Sequence, residues 1–206
     1  MVRNPYYPEQ VTRYVLNPSV VDVLVFCTKN PQPMISRLER LSTYDMFWFV
    51  TITPYGREIE PFVPPKEKVI ESFRQLSEMT GREKMSWRYD PVFITEKYSV
   101  DYHIACFAEM TEKLRGYTGQ CVVSFLDLYE KTKRNFREAR GVTRDEQNHR
   151  SFCLYCYANY DRKSVEENRK RHDVNSPLLI GHLKETNHVK EAQQKSFKDT
   201  QMRLVL

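Results

Sequence analysis

The sequence predicts an α/β fold of repeated βα units, and three observations carry that expectation. Four apolar runs of strand length, rich in β-branched and aromatic residues, stand at Val20–Cys27, Met46–Thr53, Lys84–Tyr89 and Gln120–Phe125. Each is followed by a segment whose apolar residues recur at helical spacing. Pro, Gly, Asn and Asp punctuate the joins. Strands alternating with helices in this way argue for a parallel sheet. Four units are half of a closed eight-fold barrel, which normally takes about 250 residues. A chain of 206 residues therefore fits an open, partial TIM-like barrel or a doubly wound sheet.

Taken in order, residues 1–19 are rich in Pro, Tyr and Asn and read as an irregular lead-in with one short strand at Arg13–Leu16. Val20–Cys27 is almost continuously apolar, the pattern of a strand buried on both faces. It ends in Thr28-Lys29-Asn30-Pro31, after which Met34, Ile35, Leu38 and Leu41 form a helical stripe. The second strand closes at Pro54-Tyr55-Gly56, and a Pro-rich loop leads to a helix over Lys66–Met79 with Val69, Ile70, Phe73 and Leu76 inward. Gly81 ends that helix, where a left-handed cap costs least. The third strand stops at Asp90-Pro91, and a helix follows over Val100–Leu114 with Tyr102, Cys106, Met110 and Leu114 on one stripe. The fourth strand leads to Asp127 and a helix over Tyr129–Arg140.

Beyond Arg140 the character changes, which divides the chain into a partial βα barrel, 1–140, and a basic extension, 141–206. Residues 141–150 are highly charged, Ser164–Arg171 reads as a short helix and Val189–Lys198 as another. Charge follows the same division. Residues 1–130 carry 15 Lys and Arg against 17 Asp and Glu, whereas 131–206 carry 17 against 10. Such a tail suits phosphate contact, and equally a solvated face. No run of about 18 apolar residues offers a membrane span, and Met1-Val2-Arg3-Asn4-Pro5 is not the start of a signal peptide. A soluble, cytoplasmic protein is expected. Cys27, Cys106 and Cys121 stand inside apolar segments and read as small buried hydrophobes. His103, His172, His182 and His188 read as surface or helix-packing residues.

Polar residues gather where an α/β fold places its ligands, at the carboxyl ends of the strands. They are Thr28, Lys29 and Asn30; Thr51 and Thr53; Arg88 and Asp90; Ser124 and Asp127. Each has a plainer role as a helix cap or internal ion pair. Their convergence on one mouth favours a charged small-molecule ligand, with Lys29 and Arg88 toward a carboxylate or phosphate and Asp90 or Asp127 toward an amine or ribose hydroxyl.

Cys153 and Cys156 are the only thiols near enough in sequence to share a metal. A Cys-x-x-Cys pair can hold zinc or an iron–sulfur cluster, exchange disulfides, or sit as two buried hydrophobes. His149, four residues before Cys153, supplies a third donor at the spacing x3 then x2.

The stretches Val2–Pro5, Val25–Pro31, Thr51–Gly56, Trp87–Pro91, Ser124–Tyr129, Tyr155–Tyr160 and Asn175–Gly181 resemble a bacterial family of uncharacterised proteins with a radical-SAM-like cysteine motif, C-x3-C-x2-CYAN, near the C-terminus. The resemblance implies a partial TIM-like barrel, a 4Fe-4S cluster on Cys153 and Cys156 with His149 in the place of the first cysteine, and S-adenosylmethionine as cofactor. Compared with that family the chain looks shortened. It begins after the family's first strand, and only Arg134–Ser151 separates the fourth unit from the motif, which suggests an inactive copy. Two alternatives stand beside the enzymatic reading. One is a non-catalytic remnant binding a small anion. The other is a zinc-stabilised nucleic-acid-binding protein using Arg162, Lys163, Arg169, Lys170 and Arg171. An open strand edge also leaves room for a homodimer.

Overall fold

The computed structural model describes residues 1–4, 6–127, 132, 167–168, 170–178 and 180–196. The chain divides into two compact units, Val23–Tyr157 and a smaller one made of Met1–Asp22 with Ala158–Leu206.

The smaller unit holds a three-stranded sheet. β1 (Val2–Arg3) pairs antiparallel with β2 (Gln10–Arg13). The larger unit carries β3 (Leu24–Thr28), β4 (Met46–Thr51), β5 (Met85–Val92) and β6 (Cys121–Phe125). These four strands are all parallel and lie in chain order. Between them run α1 (Gln32–Ile35) with a 3-10 turn at Leu38–Leu41, then α2 (Lys66–Thr80), then α3 (Val100–Leu114). The expected α/β class with a parallel sheet is what the chain forms. Among the described residues the strand order does not reverse, so no switch point of the doubly wound kind is seen there.

One face of this sheet makes the core. Trp48 and Val50 of β4 and Met85, Trp87 and Tyr89 of β5 pack against Val69, Ile70, Phe73 and Leu76 of α2 and Met110 and Leu114 of α3. The strand residues alternate and the helix residues recur every three or four positions, so the two periods meet on one apolar layer. Phe107 stacks on Trp87 at 5.0 Å between ring centroids, and Phe26 on Trp48 at 4.1 Å.

The helical stripe expected from Met34 to Leu41 is broken into α1 and the 3-10 turn. By contrast, α2 and α3 lie where the sequence indicates, although Gly81 takes φ +96°, ψ +138° rather than the left-handed helical cap expected there. Pro65 precedes α2 in an extended conformation. Gly81 terminates it at φ +96°, where a Cβ would also collide with the Glu83 carboxylate. At the start of α3, Ser99 Oγ accepts from the Tyr102 amide at 3.2 Å, satisfying one of the four free donors of the first turn. Arg74 of α2 donates through Nε to the Lys113 carbonyl at 2.8 Å, tying the two helices together.

Four further sequence expectations need correction. The strand expected at Val20–Cys27 starts at Leu24, because Asn17 turns the preceding segment: its carbonyl accepts from the Val20 and Val21 amides. That strand is not buried on both faces either, since Val25 is 54% exposed and Cys27 is exposed. As the end strand of the four it lacks the second neighbour that a central strand has. The short strand of the lead-in lies at Gln10–Arg13 rather than Arg13–Leu16. Finally, the helix expected over Val189–Lys198 begins instead as β7 (His188–Glu191), parallel to β2 and in register from Gln10 with His188 to Arg13 with Glu191. The Gln194 side chain extends this association by bonding both the amide and the carbonyl of Val15, at 2.6 and 3.0 Å.

The helices expected at Tyr129–Arg140 and Ser164–Arg171 lie largely outside the described residues. Among the described residues no helix is long and apolar enough to cross a membrane.

Candidate functional site at the carboxyl ends of the strands

Parallel pairing places residues of equal register on the same side of a sheet. Thr51 is in register with Arg88, Phe49 with Ser86 and Cys27 with Phe49. All of these therefore lie on the face opposite to α2 and α3. Phe47 and Phe49 touch edge to face with centroids 5.0 Å apart, and the Arg88 guanidinium carbon lies 6.0 Å from the Phe49 ring. At the carboxyl end of this face, Arg88 pairs with Asp90, and the Ser124 hydroxyl donates to the other oxygen of the same carboxylate. β5 and β6 thus contribute a joined Arg-Asp-Ser group beside an aromatic floor.

Two donors on this face are left over. The Ser86 hydroxyl and the Arg88 Nε are buried and find no hydrogen-bond partner among the described residues. A buried donor without an acceptor costs roughly 1–3 kcal/mol, so each such group calls for an explanation, an ordered water among them.

A second charged group lies at the ends of β3 and β4. Glu60, only 2% exposed, accepts from Lys29 at 2.9 Å and from the Thr53 hydroxyl at 2.6 Å on one oxygen, and from Lys66 on the other. Burial by itself pushes the Glu60 carboxyl up, but Lys29 and Lys66 more than offset this and hold it below the usual range. Lys29 and Thr53, expected at the strand ends, are joined through Glu60, which the sequence reading did not single out. Only its place in the run Arg57-Glu58-Ile59-Glu60, between a strand end and a Pro-rich loop, could have drawn attention to it.

Thr28 and Asn30 shape the loop rather than cap the helix, since Pro31 is the cap residue of α1 and receives no side-chain bond. Thr28 Oγ1 accepts from the Asn30 amide at 3.0 Å and Asn30 Oδ1 from the Gln32 amide at 3.3 Å, which shapes the turn into α1. Asp127 is exposed and makes no ion pair or hydrogen bond among the described residues. The nine strand-end residues therefore sort into an Arg88–Asp90–Ser124 group with Thr51 alongside, a Lys29–Thr53 group around Glu60, the turn-forming pair Thr28 and Asn30, and Asp127.

Below the strand ends, Tyr55 and His103 consolidate the loop after β5. The Tyr55 hydroxyl donates to the Pro91 carbonyl at 2.7 Å and accepts from the Phe93 amide at 3.1 Å. His103 Nε2 lies 3.1 Å from the Phe93 carbonyl and Nδ1 lies 2.9 Å from the Tyr89 hydroxyl. A carbonyl only accepts, so Nε2 donates to Phe93 and Nδ1 accepts the hydrogen bond of the Tyr89 hydroxyl. His103 is thus a helix-packing residue, as expected. Cys106 and Cys121 are half-buried, and burial pushes the Cys121 thiol up to about 11, so it is not poised as a nucleophile. Cys27 departs from the expected buried role, being exposed.

The family model for a domain of unknown function, DUF1848, matches residues 1–152. The chain belongs to the DUF1848 family. No curated protein and no solved structure matches it. The DUF1848 span takes in the whole four-stranded sheet, all nine strand-end residues and His149, and Cys153 is the next residue after it. Cys153, Cys156 and His149 lie outside the described residues. Among the described residues no group of three or more His, Cys, Asp or Glu side chains is arranged to hold a metal ion.

Proposed function

We propose that this DUF1848 protein is a radical-SAM-like iron–sulfur protein, with the cluster on Cys153, Cys156 and His149 and the small-molecule ligand at the carboxyl ends of β3–β6. The observation that supports the ligand site is the joined Arg88–Asp90–Ser124 group beside Phe47 and Phe49 at the carboxyl end of the sheet. A strand order that follows the chain, with α2 and α3 on one face, is in keeping with a segment of a TIM-like barrel, whose ligands sit at this end.

The donor chemistry fits the cluster. Two thiolates and one imidazole supply three ligands, which leaves one iron of four open. When bound, such a cluster supplies the electron that cleaves S-adenosylmethionine reductively. The chain's own residues then have defined tasks. Arg88 holds a carboxylate through donors that Asp90 does not use, and Asp90 with Ser124 orients the guanidinium. Phe47 and Phe49 offer an apolar surface to a flat ring, and the exclusion of water from Ser86 strengthens each polar contact.

Protein reduced without oxygen in the presence of S-adenosylmethionine should release 5′-deoxyadenosine. Cys156→Ala should release none, whereas Arg88→Ala should keep the cluster's absorption and lose roughly tenfold or more of the rate, the cost of one charge-assisted contact. The same surface supports a second reading, a small-anion-binding protein without catalysis. Saturable cofactor binding with no cleavage, in protein loaded with its full iron, would favour that reading and overturn the first.

A further inference from the structure

The smaller unit contains a cavity that the proposed cluster chemistry does not use. Its volume is about 500 Å³, and its lining includes Arg3, Lys170, Arg171, Asp173, His182 and Lys184. Cavities of roughly 300–1,000 Å³ hold ligands of nucleotide or drug size. Four permanent cations face one carboxylate here.

Arg3 is held in place by backbone rather than by a counter-charge. Arg3, at the end of β1, donates to the Pro8 carbonyl at 2.6 Å and to the His182 carbonyl at 2.9 Å. Neutral carbonyls fix the guanidinium and leave its charge uncancelled. The segment carrying the other three cations is closed on itself. The Gly181 amide donates to the Arg171 carbonyl at 2.8 Å, and the Ser176 hydroxyl donates to the Gly181 carbonyl at 2.6 Å. Gly181 has φ +77°, and a Cβ there would sit 3.5 Å from an Arg171 guanidinium nitrogen, so the turn brings the Arg171 head close to the backbone.

Asp173 spends one oxygen on the Asn175 amide at 2.9 Å and places the other 3.8 Å from His182 Nε2. Among the described residues, Lys170, Arg171 and Lys184 make no ion pair. A solvated basic face would spread such charges over a convex surface. Here residues about 170 positions apart in sequence are collected by the sheet around one concavity.

We infer that this cavity is a binding site for a phosphate-bearing ligand of nucleotide size. Two or more phosphate groups match four cations spaced around one hollow, and Arg3 and Arg171 present planar forks suited to phosphate oxygens. The residues that line the site all belong to the smaller unit.

The test is calorimetric titration of the full chain with inorganic pyrophosphate at low ionic strength, beside the variant Lys170→Glu/Lys184→Glu. Both lysines are exposed, so the fold should survive, and circular dichroism checks that it does. A parallel arm measures binding of a fluorescent single-stranded oligonucleotide and its displacement by pyrophosphate. Wild type should bind pyrophosphate saturably, and each exposed cation removed should weaken it by about fivefold, with displacement of any bound oligonucleotide. Absence of saturable binding, equal affinity in the double variant, or oligonucleotide binding that pyrophosphate leaves untouched would each overturn the assignment.

Discussion

Replacing Glu60 by Ala is expected to lower the folding free energy by about 3 kcal/mol, the lower end of the range for breaking a buried ion pair. The carboxylate is held by Lys29, Lys66 and Thr53 in a site from which water is nearly excluded. Its removal leaves two ammonium groups facing one another with no anion between them. The lysine side chains are 16% and 23% exposed, so they can turn partly toward water, which is why the cost falls at the low end. Lys29→Met should cost less, because Glu60 then keeps Lys66 and the Thr53 hydroxyl. Urea unfolding of the three proteins gives this order directly, and a loss below about 1 kcal/mol for Glu60→Ala would mean that the pair behaves as a surface one.

The same group makes a statement about pH. A carboxylate whose folded value lies below its unfolded value stabilises the fold fully above the unfolded value, about pH 4.3 for Glu. That contribution fades as pH falls through the lower folded value. Wild type should therefore lose stability on acidification below about pH 4 more steeply than Glu60→Gln.

The second large effect is expected at Trp48, where substitution by Ala should cost about 3–5 kcal/mol. The indole is fully buried, stacks on Phe26 and joins the layer between the sheet and α2. Its Nε1 is buried without a hydrogen-bond partner among the described residues. Trp48→Phe removes that orphaned donor together with some volume, so the loss of packing is partly offset. Its cost should be well under half that of the Ala variant. Equal costs for the two would show that the pyrrole edge makes a contact that the packing alone does not reveal.

How far the sequence could be read depended on whether a residue's partners were local. The βα units were legible because strand alternation and helical stripes each need only a window of neighbours. Val69, Ile70, Phe73 and Leu76 fall on one face of α2 by spacing alone, and Gly81 marks its end. β7 was not legible. Val189 pairs with Val11, and nothing within the 189–198 window reports a partner so remote. The exposure of Val25 and Cys27 was missed for a related reason, since a fully apolar run looks the same in a central strand and in an edge strand.

At the site, the residue types were legible and their partners were not. Arg88 and Asp90 are two apart on one strand, so their pairing could be foreseen. Ser124 reaches the same carboxylate only because β6 lies beside β5. Glu60 belongs to a loop with no periodicity, and its importance comes from Lys29, 31 positions earlier. Electrostatic groups built across such separations leave no local pattern.

The most direct measurement of the central proposal is the iron and acid-labile sulfide content of protein purified without oxygen, with its absorption spectrum, for wild type and Cys156→Ala. About four irons and four sulfides per chain are expected, in a brown protein, with both lost in the variant. Iron-free, colourless wild type after attempted reconstitution would contradict it.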